Sequence, residues 1–95
     1  MIVRAASIRL YLPQSYSLKD KRQILRSLKT RLHNRFPLAV AEVGLQDKYQ
    51  HALLGIACVS EQSGQTQAIL EKAYAFVEQE LDVEILQIDE IEAST

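Results

Sequence analysis

Lys19, Arg22, Arg26, Lys29 and His33 succeed one another at spacings of three and four residues. On a helix that spacing puts them on one face, with neighbouring Cβ atoms about 5–6 Å apart. A row of basic side chains is chemistry for polyanions. It can neutralise backbone phosphates, RNA being the leading candidate, but it supplies no nucleophile. The bland alternative is a solvated face, neutralised by Glu71, Glu78 or Glu80 of a neighbouring helix. Like charges at these spacings repel and destabilise a helix, which makes a use for the row plausible.

The remaining chemical candidates are weaker. His33 and His51 have no second ligand at metal spacing, so neither a metal site nor a cofactor is expected. Asp47 and His51 could meet in a loop, but no nucleophile stands beside them. Cys58 lies in an apolar run and reads as a small buried hydrophobe; as the only cysteine it forms no intrachain disulfide. Neither G-x-G-x-x-G nor G-x-x-x-x-G-K-[ST] occurs, so nucleotide binding has no motif to rest on. An acylphosphatase-like hydrolase would want an arginine cradle in a glycine-rich loop, and "LPQSYS" (12–17) offers neither. No catalytic residue is assigned, and the expectation is a protein that is not an enzyme. The run "HALLGIACV" (51–59) has no aromatic platform for stacking bases, and the G-x-x-G clamp is missing too. Any RNA contact would therefore run through phosphates.

The basic row belongs to a wider charge asymmetry. Residues 15–36 hold seven of the eleven Lys and Arg side chains, whereas residues 61–95 hold nine acids against Lys72. A formal net charge of -1 thus hides a dipolar molecule. Ninety-five residues with 47% hydrophobic content suit a single domain over 1–95. The longest apolar runs are a few residues, too short for a membrane span, and the start lacks the apolar core of a signal peptide. A cytoplasmic location is expected.

The elements that position these residues follow from hydrophobic period. Residues 2–12 alternate as a strand, with Ile2, Ala6, Ile8, Leu10 and Leu12 on one side. Pro13 ends it, and Ser17 with Asp20 reads as the N-cap and N3 of a helix. Leu18, Ile24, Leu25, Leu28, Leu32 and Phe36 then make an apolar stripe about 120° from the basic row. Lys21, Arg31 and Arg35 flank that stripe and are expected to snorkel. Pro37 closes the helix. Strands are expected at 38–43 and 51–60, joined by a loop with Gly44 and Asp47 as turn formers. A second helix, capped by Ser60 or Ser63, runs to about 80, and a fourth strand spans 83–92. The order β-α-β-β-α-β predicts an α+β, ferredoxin-like sandwich: a four-stranded antiparallel sheet with two helices on one face.

Together, "LYLPQSYSLKDKRQILRSLKTRL", "NRFPLAVAEVGLQDKYQ" and "LLGIACVS" resemble the YlxP-like family, a bacterial domain-of-unknown-function group. The resemblance covers residues 2 to about 92, and "SLKDKR" (17–22), "VAEV" (40–43) and "LGIACVS" (54–60) are its most specific parts. It implies a small ferredoxin-like protein with no assigned activity. Family genes often lie beside those for translation initiation and ribosome maturation, which implies a ribosome-linked role. Position by position it points to Ser17, Leu18, Lys19, Lys21 and Arg22, and in the loop to Asp47, Tyr49 and Gln50. Tryptophan is common in the family at Tyr49 and an acidic residue at Gly44, so the aromatic survives here and the carboxylate does not.

In the predicted fold one sheet face stays open. Leu53, Gly55, Ala57 and Val59 on that side of the third strand are as apolar as the residues on its core side. Val3 and Ala5 continue the patch on the first strand, with Tyr11 at its end. An open face should alternate with polar residues, so Val3, Ala5, Tyr11, Leu53, Ala57 and Val59 are expected to form a homodimer interface. No small-molecule ligand can be named. A homo-oligomeric interaction or regulatory module with no nucleic-acid role is the alternative to RNA or ribosome association.

Overall fold

The structure, a computed structural model, describes residues 1–95. Strand β1 (Ile2–Tyr11) leads into helix α1 (Leu18–Arg35), then strands β2 (Ala39–Gly44) and β3 (His51–Ser60). Helix α2 (Ser63–Glu78) and strand β4 (Glu84–Ser94) complete the chain. The sheet order is β2-β3-β1-β4 and every neighbouring pair is antiparallel. This is the expected ferredoxin-like sandwich, with both helices on one face.

The alternating pattern of β1 puts Ala6, Ile8 and Leu10 under the helices, beside Leu54, Ile56 and Cys58 of β3. Leu25, Leu28 and Leu32 of α1 and Leu70, Ala73 and Val77 of α2 close over them, all buried. Each buried aliphatic side chain of this kind contributes about 1.5–3 kcal/mol, so the core rather than helix propensity fixes both helices. The start of α1 follows its sequence signal. Ser17 Oγ accepts from the Asp20 amide at 3.0 Å, and Asp20 Oδ2 accepts from the Tyr16 amide at 2.9 Å. The carboxylate therefore reaches one residue beyond the cap itself.

Four local details correct or extend the sequence reading. Neither Ser60 nor Ser63 caps α2: Gln62 holds the N-cap position without a side-chain bond, because Ser63 Oγ is turned to Arg4 and Glu92. The left-handed residue of the β2–β3 loop is Leu45, at φ 59, not Gly44. Finally, β4 carries a bulge at Leu86, since Arg9 pairs with Gln87 and Leu10 with Ile85. A matching irregularity in β2 falls at Val43, between Glu42 and Gly44. Gly55 pairs with Ala41, two residues before that bulge; a Cβ there would meet Val43 Cγ1 at 2.8 Å.

Candidate functional site

The basic row is carried by α1 as its spacing requires. Lys19, Arg22, Arg26 and His33 are exposed and Lys29 is half-buried, opposite the buried leucines. The ion pairs of the chain use Arg4, Lys21 and Arg31, and none involves the row. Glu80 does reach across from the end of α2, but it meets Arg31 on the flank. Arg35 lies over the Phe36 and Phe76 rings, its guanidinium 6.0 and 5.4 Å from their centroids. His33 Nδ1 is 3.3 Å from the Leu38 carbonyl, which anchors the ring at the helix end. The result is a strip of cations about 15 Å long, from Lys19 to Lys29, without carboxylate partners.

Lys21 corrects the sequence reading. It does not snorkel: it is 2% exposed, with its ammonium inside the loop between β2 and β3. Nζ donates to the carbonyls of Leu45 and Lys48 at 2.7 Å each and His51 at 2.9 Å, and pairs with Glu42 Oε2 at 2.9 Å. A lysine charge leaves water at a cost of several kcal/mol unless its protons are all engaged, and here they are. Leu45 accepts a conformation unfavourable for a branched side chain, and its carbonyl is thereby aimed at the ammonium.

The loop residues singled out by resemblance divide between two roles. Gln50 is structural: its carbonyl accepts from the Leu12 amide at 2.8 Å and its Nε2 donates to the Ser15 carbonyl at 3.1 Å. Asp47 and Tyr49 are exposed on the rim. His51 gives its carbonyl to Lys21 and sets its ring 5.5 Å from that of Tyr11, so no Asp47–His51 dyad is assembled. No group of three or more His, Cys, Asp or Glu side chains is arranged to hold a metal ion.

Arg4 carried no signal in the sequence. It lies on the helix side of β1 and binds Ser63 Oγ at 3.0 Å and Thr66 Oγ1 at 3.4 Å, with Glu90 at 3.3 Å and Glu92 at 3.2 Å. That network ties the start of α2 to β1 and β4. Beside it, burial pushes the Cys58 thiol above its ordinary 9.0, more than the Arg4 charge lowers it. The thiol is a packed group, 3.6 Å from the Thr66 carbonyl. Burial, and then the Glu90 charge, pushes the Tyr74 hydroxyl up to about 12.

On the open face, Val3, Ala5, Tyr11, Leu53, Ala57 and Val59 project on the side away from the helices, where alternation places them. Between β2 and β4 the face is hollowed into an apolar trough of about 480 Å³. Ala5, Gly55 and Ala57 are among its lining residues, as are Val43 and Ile91. No helix is long and apolar enough to cross a membrane.

Comparison with known proteins gives relatives of the kind the motifs indicate. The family model described as "Protein of unknown function (DUF503)" matches residues 3–90. The chain is 38% identical over 68 residues to "Uncharacterized protein YlxP" of Bacillus subtilis (strain 168), covering 72% of this chain and 74% of that protein. The motifs behind the resemblance also meet in space, because "SLKDKR" supplies Lys21 and "VAEV" supplies Glu42. On that match, which spans β1 to β4, the chain belongs to the DUF503 family of YlxP-like proteins.

Proposed function

We propose that this protein is a non-enzymatic cytoplasmic module that binds RNA through backbone phosphates along α1, in keeping with association with the ribosome. One observation carries the reading. Lys19, Arg22, Arg26 and Lys29 stay free of carboxylates although Arg4, Lys21 and Arg31 all have one. A chain with twelve acids has the means to neutralise the row, and it places nine of them beyond residue 60 instead. Unpaired cations on a rigid helix form a preorganised phosphate track. The absence of aromatic platforms fits a reader of backbone and shape, not of bases.

The test is fluorescence anisotropy with labelled ribosomal RNA fragments, comparing the native protein with a variant carrying Lys19→Gln, Arg22→Gln, Arg26→Gln and Lys29→Gln. Binding should vanish in the variant while its circular dichroism and urea midpoint hold, because Lys19, Arg22 and Arg26 are exposed and none of the four is in an ion pair. Equal binding by both proteins would remove α1 from the interface.

A further inference from the structure

We infer that the open face of the sheet is the interface of a homodimer, in which a second copy of this chain seats its own open face on the trough. This inference is independent of the RNA reading, since it uses the surface opposite the helices.

A self-complementary contact needs both projections and hollows on one surface. This face has both. Val43, Val59 and Ile91 project with 53%, 61% and 71% of their surface exposed, while Ala57 and Ala5 leave the middle low. The bulge in β2 raises Val43 as a wall, and Gly55 supplies the room it occupies. Large side chains from one copy thus find small ones on the other.

Charge and area favour the same occupant. The central part of the face carries one cation, Arg9, and one anion, Asp89. They are diagonal neighbours on adjacent strands, for Arg9 pairs with Gln87 and Ser7 with Asp89. Arg9 has no ion pair within its own chain, and Asp89 takes only an amide from Gln87 at 2.9 Å. A two-fold axis can set Arg9 of each copy against Asp89 of the other, forming two equivalent pairs from one contact. Four strands of this length span roughly 600 Å² in plan, so two copies bury about 1,200 Å², the lower bound for a specific interface. A peptide or small ligand filling the trough would leave most of that apolar surface, and both charges, uncovered.

Sedimentation velocity at about 50 µM, above the dissociation constant expected of a small specific interface, tests this. The native protein should run at twice the 10.8 kDa chain mass. Ile91→Asp should weaken the dimer by about tenfold or more with circular dichroism unchanged, since that side chain is largely exposed in the single chain. As a check that does not depend on an apolar position, Arg9→Asp and Asp89→Arg should each weaken association and together restore it. A native monomer at that concentration would overturn the proposal, as would a dimer indifferent to Ile91→Asp or to the single charge reversals. A monomer that takes up an apolar dye or peptide in the trough would assign the face to another occupant and overturn it too.

Discussion

A lysine ammonium removed from water must find acceptors for all three protons, and the loop around Lys21 is shaped by that demand. Three main-chain carbonyls and the Glu42 carboxylate converge on one nitrogen. Lys21→Met keeps most of the stem volume but leaves an unpaired carboxylate and three carbonyls behind. Breaking a buried pair from one side costs about 3–5 kcal/mol, so urea unfolding should show a loss of that order. Exposed Lys19→Met should shift the same curve by less than about 0.5 kcal/mol. Similar effects from the two variants would mean that the ammonium is dispensable. A second residue-scale prediction concerns alkaline pH. Cys58 and Tyr74 both hold their protons more tightly folded than unfolded. The folded chain therefore binds more protons, and its extra stability is complete below about pH 9. It declines as pH rises through the ordinary thiol and phenol ranges, and the tyrosine part is gone once pH passes about 12. Tyr74 Oη is buried without a hydrogen-bond partner, so Tyr74→Phe should cost little at pH 7 and flatten the alkaline decline. Unfolding curves at neutral and alkaline pH with the same slope in both proteins would contradict that assignment.

Among the elements, those set by one periodicity were legible and those set by contact between segments were not. The alternation of β1, the apolar stripe of α1 and the cap at Ser17 all lie within one segment, and the structure has them where the sequence puts them. Lys21 was misplaced because a helical wheel registers only its position beside the apolar stripe. What pulls it inward is a set of carbonyls more than twenty residues away. The cap of α2 was misread for a related reason: Ser63 has the right chemistry, but Arg4 and Glu92 compete for its hydroxyl. Gly55 shows how a strand's composition answers to its neighbour. Gly55→Val should overpack against Val43 and cost about 1–3 kcal/mol, with Val43→Ala relieving much of the loss in the double variant. Additive losses would show that the two positions do not touch in solution. Of the candidate site, the face and spacing of the basic row were readable, whereas its lack of carboxylate partners depended on where α2 sets Glu80.

For the whole molecule, charge separation is the property that joins structure to proposed role. Positive charge is gathered on α1 and negative charge toward the last third of the chain, so in the proposed role α1 is the surface that meets the polyanion. If the open sheet faces pair, the two α1 helices lie on opposite outer surfaces of the dimer, each free to meet its own strand. The most direct test of the central claim is the salt dependence of RNA affinity. Four phosphate contacts release counterions so that log K falls against log salt with a slope of about -3 to -4. The native protein should give that slope, and removing one of the four cations should flatten it by about one. No RNA binding even at low salt, or a slope unaltered by substitutions at Lys19, Arg22, Arg26 and Lys29, would contradict the account.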